Sequence, residues 1–211
     1  MALSLSLGTS QAQTANGVAG GAYGASVKTL AGSLDPTATG LVALPATGGI
    51  ADNELAGLNV AGLLTTRTVS PVTTGVVGEN ASSAQSYATV QDVNILAGVI
   101  TAKLVAAMAS SESNGVQALS NGAGTTLVDL VVNGVPMGVV APAPNTQMGI
   151  PGVGTLILNE QTPSGNGTTN TGITVTALHL VQTTTDPLLG TTIKTGDILV
   201  AVAQSSASFA R

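Results

Sequence analysis

The sequence predicts an all-β fold, an antiparallel β-sandwich or jelly-roll-like domain with an extended N-terminal segment. Three observations predict it. Apolar and polar residues alternate at a period of two through many short runs, the period of a half-buried strand. Gly, Pro and Asn punctuate those runs at close intervals, which is turn chemistry and leaves no stretch that reads clearly as a helix. Hydrophobic residues make up 44% of the 211, against 7% charged, so there is ample aliphatic material for a two-layer core. Residues 1–16 read as an N-terminal extension and 17–211 as a single β-sandwich domain.

The extension, MALSLSLGTSQAQTANG at its start, has two readings that stand side by side. Leu3, Leu5 and Leu7 alternate with Ser4 and Ser6, as in a strand. Ser10-Gln11-Ala12 resembles a small-residue cleavage site at the end of a secretory signal, although a basic n-region is missing and the apolar run is short. Residues 17–30 are mostly small, with Tyr23 and Val27 the larger side chains. They form either a strand with close backbone approach or a flexible arm. Asp35-Pro36 and 45–49 are turn punctuation around a short strand at 40–44.

An internal echo follows. Residues 61–69 (AGLLTTRTV) match 97–105 (AGVITAKLV), and each copy closely follows an asparagine, Asn59 or Asn94. Period two puts Leu63, Thr65, Arg67 and Val69 on one face of the first copy. One echo is too little for a solenoid, so two equivalent strands in one sheet are expected. Between the copies, 83–95 alternates as a strand, with Tyr87, Thr89, Gln91 and Val93 opposite Ala88, Val90 and Asp92, after a turn at 78–82. At 96–109 Leu, Ala and Lys favour a helix, but Gly98, Val99, Ile100 and Thr101 favour the strand adopted here.

The clearest local signal lies at 125–161. Apolar runs 127–132 and 135–140 flank Asn133-Gly134, the pair that best tolerates two positive φ angles in a tight hairpin. Pro142 and Pro144 take the chain out of the ladder, Pro151-Gly152 marks a turn, and 155–158 resumes a strand. A polar loop is expected at 163–172. A strand at 174–182 follows, with Val175, Ala177, His179 and Val181 on one side, and a last strand runs over 198–205.

Composition excludes several functions. Lys28, Arg67, Lys103, Lys194 and Arg211 are too scattered for a phosphate-binding stripe, so no nucleic acid is expected. No apolar run reaches the roughly 18–20 residues of a membrane helix. The chain has no cysteine, which removes disulfides and zinc thiolates. His179 is the only histidine; no nucleophile elbow, HExxH, Walker loop, GxGxxG or EF-hand pattern accompanies it. Asp129 and Glu160, read as lying in neighbouring strands, and Asp92 and Asp197, read at strand edges, are the remaining candidates for acid–base chemistry. With three aromatics in the chain, Tyr23, Tyr87 and Phe209, a carbohydrate cleft would lack its usual platforms. No enzyme activity, metal or cofactor is therefore expected. Asn80-Ala81-Ser82 and Asn166-Gly167-Thr168 match the N-glycosylation triplet, which arises often by chance in a Ser/Thr-rich chain.

Several segments together resemble the choice-of-anchor P family of bacterial exported surface proteins. They are 131–136 (VVNGVP), 143–146 (APNT), 150–154 (IPGVG), 156–161 (LILNEQ), 175–179 (VTALH) and 196–201 (GDILVA), within a similarity that runs over about 58–203. The resemblance implies export and a β-rich extracellular domain, and transfers no established activity. The family's C-terminal anchoring signals are not matched by the ending Ser208-Phe209-Ala210-Arg211.

The functional expectation is an extracellular or cell-surface structural protein that self-associates, as a filament or surface-layer subunit. In it Leu3, Leu5 and Leu7 anchor a donor strand in the next copy. The alternative is a secreted monomeric adhesin or ligand-binding β-sandwich module, reading a glycan, a cell wall or another surface protein through loops such as 163–172.

Overall fold

A computed structural model describes residues 16–186 and 188–210. The donor-strand candidates Leu3, Leu5 and Leu7 lie outside the described residues. In chain order the strands are β1 (Gly17–Thr29), β2 (Ser33–Leu34), β3 (Val42–Ala43), β4 (Gly48–Asp52), β5 (Leu58–Val60), β6 (Leu64–Thr66), β7 (Thr68–Val77) and β8 (Ser82–Ile95). Then come β9 (Ile100–Ser113), β10 (Ala118–Asn121), β11 (Thr126–Val132), β12 (Val135–Val140), β13 (Thr146–Ile150), β14 (Gly154–Gly165), β15 (Asn170–Thr185) and β16 (Thr192–Ser208). One short 3-10 turn, Pro36–Thr39, breaks the series. Asp35 caps it by accepting from the Thr37 amide at 2.9 Å, which draws the Asp35 carboxyl below its usual range.

Two antiparallel sheets pack face to face. The first runs β13-β14-β15-β16-β1-β2, with β3 also on β1. The second runs β12-β11-β9-β8-β6-β5, with β10 on β9, β7 on β8 and β4 on β7. Most neighbours are consecutive in the chain. The main exception is β1, which pairs with β16 from Gly17↔Ser208 to Thr29↔Gly196. Residues 17–30 are thus an internal strand. Their small side chains have a reason: a Cβ on Gly24 would collide with Val69 of the facing sheet, and one on Gly20 with Thr73 and Ser86.

The sandwich has two unlike ends. At the first end, where Gly17, Ser82, Ser113 and Ser208 lie, hydroxyls cross between the sheets. Ser111 donates to the Ser205 carbonyl and lies 2.8 Å from its hydroxyl, Ser113 donates to the Thr169 carbonyl, and Ser120 meets Thr171 at 2.6 Å. Beside them Val18, Leu44 and Ala84 form a small apolar cluster. Toward the second end the core is aliphatic, with Leu64, Ile95, Ile100, Leu130, Leu180 and Ile198 buried. Each fully buried aliphatic side chain contributes roughly 1.5–3 kcal/mol, so this half carries most of the hydrophobic stabilisation.

A line of backbone irregularities crosses each sheet at mid-height. Asp92 has φ 49°, Asp129 φ 52°, Asn159 φ 52° and Ala201 φ 53°, all in the left-handed region. Each sits inside a strand, and the side-chain alternation changes phase there. In β8 the buried residues run Ala84, Ala88, Val90 and then Val93, Ile95; in β11 they are Leu127 and then Leu130, Val132. Three expectations from strict period two are corrected, the first by the left-handed Asp92; Arg67 falls in the break between β6 and β7, and β15 changes phase at Ala177–Leu178, both buried. Val93 is buried and Asp92 exposed; Arg67 is exposed while Val69 is buried; and His179 faces away from Val175.

Other outcomes follow from the ladders. The hairpin at Asn133-Gly134 forms as expected, with φ 49° and 78°. Both copies of the echo lead into strands of the same sheet, and Leu64 and Ile100 flank Ile95 on β8. The expected loop at 163–172 is mostly ladder, since β14 and β15 pair as far as Gly165↔Thr171. Only 166–169 turn, held by Asn166, whose side-chain oxygen accepts from the amides of Thr168, Thr169 and Asn170.

Candidate functional site

Two clusters of charged side chains form, one on each sheet. On the first sheet, neighbouring strands β14, β15 and β16 bring Glu160, His179 and Asp197 together. His179 Nδ1 lies 2.8 Å from Glu160 Oε2, and its Nε2 lies 2.9 Å from Asp197 Oδ1. Lys194, three residues before Asp197 in β16, approaches Asp197 Oδ2 at 2.7 Å. Burial pushes the Asp197 carboxyl upward, but hydrogen bonds from Lys194 and His179 and their charge outweigh it, and the net shift is downward. Both ring nitrogens of His179 are thus engaged by carboxylates from the flanking strands. The cluster ties β14, β15 and β16 together through side chains as well as through the ladder.

The carboxylates weighed from sequence converge in other pairs, Glu160 with Asp197 about His179 and Asp92 with Asp129 about Lys103. Asp129 lies in β11 and Glu160 in β14, on different sheets, which corrects their placement in neighbouring strands. Asp92 and Asp197 lie inside β8 and β16 rather than at strand edges. Among the described residues no group of three or more His, Cys, Asp or Glu side chains is arranged to hold a metal ion.

Two regions expose apolar surface instead. At the first end, the outer face of the second sheet carries a groove of about 700 Å³. Thr74, Gln85, Ser110 and Glu112 line it, with Val76 on β7 and Leu119 on β10 exposed beside them. At the second end, Leu30, Leu188 and Leu189 project from the turns beyond β1 and β15, and Ile193 is exposed near the start of β16, with Leu30 and Leu188 about nine-tenths exposed. Next to this end is β12, the edge strand of the second sheet, where Val135, Met137 and Val139 are exposed. Pro136 removes one amide from β12, and Gly138 has φ 68°, two devices that limit indiscriminate pairing at an edge. The N-terminal extension enters β1 at the opposite, first end, where the Asn16 side chain accepts from the Ala210 amide.

Sequence reading singled out Leu3, Leu5 and Leu7 but passed over the groove, which needs β7, β8, β9 and β10 to be placed side by side. It also passed over the exposed leucines at the turns. The mid-strand aspartates had a legible mark: in Val90-Gln91-Asp92-Val93 and Leu127-Val128-Asp129-Leu130 the apolar spacing jumps from two to three at the acid.

The fold and its surfaces define the class: a two-layer antiparallel β-sandwich with polarised ends. Compared with known proteins, the chain matches no family model, no curated protein and no solved structure.

Proposed function

We propose that this protein is an extracellular structural subunit that self-associates end to end, as in a filament or surface layer. The observation that carries the reading is polarity. The N-terminal extension joins the first end of the sandwich, and the apolar edge β12 lies toward the second, the end at which Leu30, Leu188 and Leu189 are also exposed. Two unlike ends make a heterologous contact, which repeats without closing unless the rotation forms a ring. In this reading Leu3, Leu5 and Leu7 of one copy add beside Val135, Met137 and Val139 of the next. Main-chain bonds supply affinity and alternate side chains supply register. The low charge and the resemblance to exported surface proteins support an extracellular site; no catalytic step or cofactor is assigned.

Removing residues 1–16 should give folded, monomeric protein by sedimentation, with fibres lost in electron micrographs. Val139→Lys in the intact chain should do the same from the acceptor side. Fibres that persist in both variants would overturn the proposal. The groove favours a second reading, a secreted module binding a glycan, cell-wall surface or peptide, since 700 Å³ lies within the usual range for ligand sites. In that case the intact protein stays monomeric at high concentration and Leu119→Arg abolishes surface binding.

A further inference from the structure

We propose that the outer face of the second sheet is a second, lateral interface, and that its partner is another copy of the same face related by a two-fold axis. The inference is independent of the end-to-end contact, because it uses neither the N-terminal extension nor β12. It rests on a row of four charges. Arg67 lies opposite Asp92, between the pairs Thr65↔Asn94 and Thr68↔Gln91. Asp92 lies opposite Lys103, between Gln91↔Leu104 and Val93↔Ala102. Lys103 lies opposite Asp129, between Leu104↔Val128 and Thr101↔Val131. The order across four neighbouring strand positions is therefore plus, minus, plus, minus. At a strand spacing of about 4.8 Å the row is roughly 14 Å long.

All four side chains share one face. Arg67 Nη1 is 3.4 Å from Asp92 Oδ2, Lys103 Nζ is 3.7 Å from Asp129 Oδ2, and Asp92, Lys103 and Asp129 border one shallow depression. They are also open to solvent, with side-chain exposures of 73% for Arg67, 45% for Asp92, 72% for Lys103 and 58% for Asp129. The cluster on the first sheet differs: His179, Asp197 and Glu160 are 14%, 22% and 31% exposed and already closed on one another. The exposed row is the one with capacity to spare.

An even-numbered alternating row has a symmetry property. Rotated by 180° about an axis through its centre, plus-minus-plus-minus becomes minus-plus-minus-plus, so a second copy presents the opposite charge at all four positions. Arg67 of one copy then faces Asp129 of the other, and Lys103 faces Asp92. An interface of this kind is isologous, and shifting it by one strand places like charges opposite each other, so the row sets register as well as attraction. Around the row the neighbours on the same strands, Thr65, Thr89, Gln91 and Thr101, are uncharged, so no further charge competes with the row.

The chain has no cysteine, so one introduced thiol reports one contact. Gln91 is exposed and adjoins Asp92 near the proposed axis. In the full-length chain, Gln91→Cys with a short bifunctional thiol crosslinker should yield covalent dimers at low salt. Thr162→Cys, on the first sheet, serves as the background control. Adding Arg67→Glu and Lys103→Glu makes the row uniformly negative and should lower the crosslinked fraction at least about five-fold, as should 1 M salt, where screening acts within about 3 Å. Mixing that protein with Gln91→Cys carrying Asp92→Asn and Asp129→Asn, whose row is positive, should restore crosslinking between the unlike chains. Asn is used because it tolerates the left-handed backbone at both positions. Crosslinking of the parent no higher than the control, or unchanged by charge inversion, would overturn the lateral interface. End-to-end fibres surviving charge inversion would show that the two contacts are separate.

Discussion

At the scale of single residues, the same chemical change has different causes of damage in different places. Gly134 has φ 78° and nothing within 4 Å of where a Cβ would stand, so Gly134→Ala is a purely conformational perturbation of roughly 1 kcal/mol. Gly24 is the reverse. Its Cβ would run into the Val69 side chain of the facing sheet, so Gly24→Ala is an overpacking change of about 1–3 kcal/mol. Urea unfolding should rank Gly24→Ala as the more damaging, and the opposite ranking would show that the sheets can move apart at mid-height. Asp197 supplies a pH dependence. Its carboxyl is held below the ordinary value of 3.8, so its contribution is complete above that pH and disappears as the pH falls through the folded-state value. Lys194→Met should cost about 0.5–1 kcal/mol near neutrality and leave a shallower acid limb, with the two proteins converging as the pH falls through the folded-state value. Parallel stability curves for the two proteins would rule out that role for Lys194.

At the scale of elements, the legible parts were those fixed by neighbours in the chain. Asn133-Gly134 specified its hairpin because a two-residue loop needs two positive φ angles and little else. The echo at 61–69 and 97–105 specified two strands of one sheet, and it places Arg67 and Lys103 at equivalent positions. Facing was less legible. Period two breaks wherever one residue enters the left-handed region, and Asp92, Asp129 and Asn159 do so inside strands whose propensities look regular. Asp and Asn tolerate that region and are depleted from strand interiors, so the three-residue apolar spacing around each acid was the available signal. Ala201 carries no such signal; with φ 53° it stands in the mid-height row opposite Ala177 and Gly24. The end of β14 was misread for another reason: Pro163, Gly165 and Asn166 look like loop, but pairing with β15 continues past the proline to Gly165.

At the scale of the whole molecule, the decisive contact is between the two ends of the described chain. β1 lies between β16 and the short strands β2 and β3, so the last strand supplies the long edge on which the first is held. Phe209 is buried, and its amide donates to the Thr169 carbonyl beside that seam. A chain truncated after Ser205 should therefore lose cooperative urea unfolding, whereas removal of residues 1–16 should leave it intact. Equal stability of both truncations would show that the β1–β16 seam is dispensable.

The sequence by itself determined the class of fold, the hairpin, most strand positions and the absence of cysteine chemistry, because these depend on periodicity, turn residues and composition. It also supplied the leucine alternation at 3–7 on which the assembly proposal draws. Tertiary structure alone decided that the glycine-rich start of β1 is an internal strand, that His179 is held between two carboxylates, and that four scattered charges form one alternating row. Each of these joins residues far apart in the chain through strand register. A shift of one position in that register would send every side chain to the opposite face.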